Sequence, residues 1–145
     1  MYAISIRMGF WMMLASIAFF LLMYTIGLGY RNELHVFVAA FQLVFLYLAI
    51  QAYYRLHPDN IDNYMDGVLQ GMGASLVGVG GFALFMTAFL LMEPALMKTI
   101  QEKAHLGKYL NPFTDSLVIL SIGLAIGLIG SYILTRLFNQ KVVPD

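Results

Sequence analysis

The sequence predicts an all-α, polytopic membrane protein whose four transmembrane helices form two antiparallel hairpins. Three observations predict it. Of 145 residues, 61% are hydrophobic and only 11% are charged, where an average soluble domain carries about 25% charged residues. The eight basic and eight acidic residues are absent from four stretches, residues 8–30, 35–54, 67–92 and 116–135, each at or beyond the roughly 18 to 20 apolar residues that cross a hydrocarbon layer of about 30 Å. None of the four shows the alternating polarity of barrel strands, and backbone groups in hydrocarbon must bond internally, so each span is a helix. This composition excludes a soluble fold, a nucleic-acid binder and a secreted disulfide scaffold. With no cysteine there is no disulfide, thiol nucleophile, iron–sulfur site or covalent c-type haem attachment. The formal net charge is zero and no run of like charges occurs, which argues against an electrostatic anchor to acidic lipid or to nucleic acid.

The elements follow in order within a single domain, residues 1–145. Span one is expected over about 8–30. It follows a lone Arg7, as a signal peptide's core would, but it is too long for one and Gly27-Leu28-Gly29-Tyr30-Arg31 offers no small-residue cleavage pattern, so it reads as a retained span. Tyr2 and a Val-Val-Pro-Asp terminus carry no lipidation signal. Arg31-Asn32-Glu33 is so short a connection that span two, about 35–55, must return antiparallel to span one. In the second connection, Pro58 and the Asp/Asn residues behind it stop one helix and cap the next, span three, about 66–92. After Glu93-Pro94 comes a connector of about 94–110. There Leu96, Met97, Ile100 and Ala104 recur at helical spacing opposite Lys98, Glu102 and Lys103, the pattern of a short interfacial helix. Asn111-Pro112 reads as an N-cap with proline at the first helical position, opening span four at about 114–137.

Orientation is undecided by charge. Arg7, Arg55, Arg136 and Lys141 fall on one side and Arg31, Lys98, Lys103 and Lys108 on the other, a tie under the positive-inside rule. Arg7 and the amino terminus ahead of span one place both termini on the cytoplasmic side.

Glycine placement is the most specific signal. Spans three and four hold nine of the thirteen glycines. Gly67, Gly71, Ala74, Gly78 and Gly81 recur at spacings of four and three, a heptad seam made only of small residues. Gly123, Gly127 and Ser131 form a small-xxx-small run in span four, with Gly130 beside it. Lipid tails supply no hydrophobic drive for helix pairing, so close van der Waals contact across small residues holds such helices together. The reading packs span three against span four. Gly73 and Gly80 on a neighbouring face leave room for a second partner, which is span two, another copy or another subunit.

Polar residues within the spans are neutral at mid-depth. The nearest ionisable groups are His35, at the start of span two, and Glu93, at the end of span three. Gln42 shares a face with His35, while Tyr47, Gln51 and Tyr54 line another. Such residues bridge helices by hydrogen bonds worth about 0.6 to 2 kcal/mol each, or line a small polar cavity. His35, His57 and His105 fall one per connection, which argues against bis-histidine haem, and a quinone site at His35 and Gln42 is unspecific, so no cofactor is expected. His57 with Asp59, Asp62 and Asp66 resembles a hard-cation site, but aspartate is also the favoured turn and cap residue, and no metal is expected. No nucleophile-elbow, zinc-protease, P-loop or dinucleotide-binding motif is present.

Tyr64-Met65-Asp66-Gly67 leading to Gly71, the Glu93-Pro94 exit, the amphipathic connector, Leu110-Asn111-Pro112 and a glycine-bearing fourth span closed by Arg136 resemble a family of small four-span bacterial proteins of unknown function, found in Bacteroidota-type genomes. The resemblance covers the second half of the chain better than the first. It implies a multi-pass protein of the bacterial inner membrane and carries over no functional residue. The function expected is that of a non-catalytic integral membrane subunit or assembly protein. It would dock through its glycine-rich faces to itself or to a larger membrane complex, such as a respiratory or secretion-type one, with membrane lipids, other membrane subunits or another copy as partners. The alternative is a small oligomeric transporter or channel with its path along Gln42, Gln51, Gln70, Ser75 and Thr87. An interfacial enzyme using His57, Asp59, Asp62 and Asp66 ranks last.

Overall fold

The computed structural model describes residues 3–27, 33–60, 62–103 and 111–142, without the side chains of 33–35, 103, 141 and 142. Among the described residues there are five α-helices and no strand: α1 (Ala3–Thr25), α2 (Glu33–Leu56), α3 (Tyr64–Met92), α4 (Pro94–Lys103) and α5 (Pro112–Val142), with one turn of 3₁₀ helix at Pro58–Asn60. Four of them, α1, α2, α3 and α5, are long and apolar enough to cross a membrane, and the chain is a multi-pass membrane protein. At about 1.5 Å per residue the 29 residues of α3 extend about 43 Å, so its two ends reach beyond the hydrocarbon layer.

The helix limits differ from the charge-free stretches because a charge does not end a helix. Arg7 lies inside α1, which begins five residues earlier than the apolar stretch and stops at Thr25. It stops there because Gly27 adopts a positive φ of 85°, a conformation costly for any residue with a Cβ. The Ile26 and Gly27 N–H groups still reach back to the carbonyls of Leu22 and Tyr24. Proline and asparagine act as expected: α2 ends one residue before His57-Pro58, and the Asn111 side chain accepts from the Thr114 N–H at 2.7 Å, capping α5 with Pro112 in its first position. Asn63 occupies the N-cap of α3 but makes no side-chain cap bond.

The second hairpin, α3 with α5, forms the most extensive contact in the molecule, and α3 also packs along α1 and α2. α2 touches α1 and α5 in turn, so α3 and α2 form the short diagonal of the four-helix body. One end carries the start of α1, and there the end of α2, the start of α3 and the end of α5 also lie: Ser5 meets Gln70, Tyr53 meets Asp66 and Tyr64 meets Tyr132. This is called the N-terminal end. At the opposite, connector end, α4 lies across the bundle with Leu96 and Met97 buried among Phe20, Phe82, Met86 and Leu90. Lys98 and Glu102 stay exposed on its outer side. That is the amphipathic arrangement its spacing predicts; Ala104, His105 and the rest of the connector to residue 110 lie outside the described residues.

Candidate functional site: the buried polar centre and the glycine faces

The small residues of the expected α3 seam divide between two neighbouring helices. A Cβ built on Gly67 would meet Thr135 and Tyr54, one on Gly71 would meet Ser131, one on Gly127 would meet Ser75, and one on Gly123 would meet Val79. Along α3 these positions step by four while those on α5 step back by four, an antiparallel ladder with one glycine per rung. In its outer half the glycine is on α3 and the hydroxyl on α5. At mid-membrane the glycine passes to α5. The other members of the expected seam turn to α1: Gly78 lies against Met12, Gly81 against Met13, and Ala74 presents its carbonyl to Gly9. The seam read from the sequence as one face is therefore shared by two helices. Gly73, read as a face for a further partner, lies against Ser5 of α1, and Gly130 lies against Leu43 and Leu46 of α2. Gly80 alone among the described helical glycines outside the turn at Gly27 has nothing within 4 Å of its Cβ direction.

The close approach brings together polar side chains from distant parts of the chain. Gln42 donates from Nε2 to the Gly123 carbonyl at 2.6 Å and to Ser75 Oγ at 3.3 Å, joining α2, α3 and α5. Gln42, Ser75 and Gly123 fall near the midpoints of their helices, so this node sits near the centre of the hydrocarbon layer. Gln42 is 3% exposed and Ser75 is fully buried. Nearer the N-terminal end Ser5 donates to Gln70, and Ser131 returns its hydroxyl to the Gly127 carbonyl. Toward the connector end Thr87 and Ser116 share a hydrogen bond. Beyond them Phe20, Tyr24, Phe85 and Phe89 interlock, with ring centroids 5.1 to 6.1 Å apart in the edge-to-face pairs.

Of the remaining residues singled out, Tyr47 and Tyr54 both reach Phe138 of α5, at 5.1 and 6.2 Å between centroids. Tyr54 also donates to the Asn63 carbonyl at 3.3 Å. Gln51 is half-buried on the same helix. Glu93 closes α3 as its C-cap through its N–H to the Phe89 carbonyl, and the His35 side chain lies outside the described residues. The acidic loop does not converge. Asp66 accepts from the Tyr53 hydroxyl at 2.9 Å and from Asn60 at 3.5 Å, His57 stacks on Tyr53 at 4.7 Å, and Asp59 and Asp62 are exposed. Among the described residues no three His, Asp or Glu side chains are grouped to hold a metal ion. The pairs Ser5–Gln70, Thr87–Ser116, Tyr53–Asp66 and Tyr64–Tyr132 were not legible in the sequence because each depends on the axial register between helices.

Compared with protein-family models, with curated proteins and with solved structures, the chain matches none.

Proposed function

We propose that the chain is a non-catalytic integral membrane subunit of the bacterial inner membrane, with both termini cytoplasmic, that acts by docking to another copy or to a larger membrane complex. The observation that carries this reading is the state of the glycines. The small-residue faces of α3 and α5 that would hold helices together are filled by helices of the same chain, and Gly80 is left over. It sits on α3 between Leu76 and Leu84, one turn to either side, which are 59% and 74% exposed, so a notch lies open on the outer face of the central helix. A small residue between two large ones admits the backbone or side chain of an incoming helix, and such contact supplies attraction where the lipid supplies none.

The test is extraction in mild detergent followed by native mass measurement of the wild type and of Gly80→Leu. The wild type should leave the membrane in an assembly, and Gly80→Leu should release the chain while its own thermal unfolding stays unchanged, because no described atom lies within 4 Å of the added Cβ. A wild-type chain recovered alone, or a Gly80→Leu chain still in its assembly, would overturn the reading.

The transporter alternative draws on Gln42, Gln70 and Ser75 in the buried centre. Within one chain their side chains bond to neighbours, and the aromatic cluster with α4 fills the connector end, so a path would have to run between copies. Flux through vesicles that is lost in Gln42→Leu would favour it.

A further inference from the structure

Three described arginines lie at the N-terminal end: Arg7 on α1, Arg55 at the end of α2 and Arg136 on α5, all exposed. None forms an ion pair with a described carboxylate. The described acids at that end are otherwise placed. Asp66 is turned inward to Tyr53 and Asn60, and Asp59 and Asp62 belong to the loop beyond the start of α3, farther from the hydrocarbon than Arg136, which is level with the first turn of α3 through the Tyr64–Tyr132 contact.

Arg136 differs from the other two in its surroundings. One turn before it on the same face of α5 is Tyr132, 51% exposed, and one turn before that is Leu128, 52% exposed. The Tyr64 hydroxyl donates to the Tyr132 carbonyl at 2.8 Å, and the two rings meet edge to face with centroids 5.4 Å apart at 75°. That contact fixes both rings against the helix surface below the guanidinium. Depth can be counted. α5 runs from Pro112 to Val142, so Gly127 is its midpoint, and Arg136 lies nine residues beyond, about 13 Å along the axis at 1.5 Å per residue. The hydrocarbon half-thickness is about 15 Å, and an arginine side chain snorkels outward by several ångströms more. The guanidinium therefore stands at the height of the lipid phosphates, with a tyrosine at the glycerol level and an apolar side chain beneath. That is the order of groups in a phospholipid itself.

We infer that Arg136, with Tyr132 held in place by Tyr64, forms a binding site for one anionic phospholipid in the leaflet at the N-terminal end. The guanidinium fork receives two phosphate oxygens, a geometry that lysine does not reproduce. The exposed phenol of Tyr132 lies toward the glycerol, and the acyl chain follows Leu128. A zwitterionic headgroup carries its own ammonium to satisfy the phosphate; an anionic one leaves the phosphate to Arg136, which pairs with no carboxylate among the described residues. The zero net charge of the chain is no obstacle, because the site depends on one cation placed beside a tyrosine pair and not on a field.

The experiment is native mass spectrometry of the delipidated protein in detergent, titrated with phosphatidylglycerol and, separately, with phosphatidylcholine. The first phosphatidylglycerol should bind about fivefold more tightly than phosphatidylcholine, the effect expected of one cation near an anionic lipid surface. Arg136→Gln should abolish that preference, Arg136→Lys should reduce it, and Arg55→Gln, at the same end without the tyrosine pair, should leave it intact. Equal binding of the two lipids by the wild type, or a preference that survives in Arg136→Gln, would overturn the inference. So would displacement of phosphatidylglycerol by inorganic phosphate at millimolar concentration, which would assign the site to a soluble anion. If Arg136→Gln proves unfolded by circular dichroism, Tyr132→Phe and Tyr64→Phe decide: an undiminished preference in both would equally overturn it.

Discussion

A methyl group added at Gly71 would run into the Ser131 side chain, whereas one added at Gly80 would meet nothing, and this difference is measurable. Gly71→Ala should lower stability by about 1 to 3 kcal/mol, the usual cost of overpacking, in reversible unfolding followed in detergent. Adding Ser131→Gly to it should recover most of the loss, because the rung then holds one side chain again. Gly80→Ala should stay within about 0.5 kcal/mol of the wild type. Hydroxyls are equally separable. Thr135 is fully buried and its Oγ1 has no hydrogen-bond partner among the described residues, so Thr135→Val should leave stability unchanged or raise it by up to about 1 kcal/mol. Gln42 is the contrary case: Gln42→Leu removes the bonds to Gly123 and Ser75 and should cost about 0.6 to 2 kcal/mol. Equal effects from Thr135→Val and Gln42→Leu would refute the assignment of the mid-membrane node.

Among the elements, α4 differs in what holds it. The four spans are kept as helices by the hydrocarbon around them, because an unbonded backbone group there costs several kcal/mol. α4 has ten residues, fewer than an isolated helix needs to be stable in water, so its order depends on Leu96 and Met97 packing under the aromatic cluster. Met97→Glu should detach it. Hydrogen exchange of residues 95–103 should then rise to that of a free peptide while exchange in α3 stays slow. Slow exchange in α4 after the substitution would mean that something other than this packing holds it. The existence of α4 was legible in the alternation of Leu96, Met97 and Ile100 with Lys98 and Glu102. What its apolar side covers was not, since Phe20, Phe82 and Leu90 come from helices far away in the chain.

For the whole molecule, hairpin topology places the α2–α3 loop and the α4 connector at opposite ends of the bundle, and a chain without cysteine permits a clean test. An impermeant maleimide added to one side of sealed vesicles should label Asp59→Cys and Lys98→Cys from opposite sides, and labelling of both from the same side would break the four-span topology. Charge, which ties four against four across the two ends, could not supply an orientation; this labelling does. The number of spans, their helical nature and their order were determined by the sequence alone, because exclusion of charge over 20 or more residues is a one-dimensional property that the bilayer reads directly. Small-residue packing was also written there, but as a single seam, since periodicity tells which residues share a face and not how many neighbours that face serves. Only the tertiary structure decided that Gly67 and Gly71 meet α5 while Gly78 and Gly81 meet α1, that Gln42 reaches Gly123, and that Gly80 is the notch left open. These outcomes depend on axial register and on which helices become neighbours, and both are set by the summed van der Waals contact of four helices, a quantity that no single stretch of sequence contains.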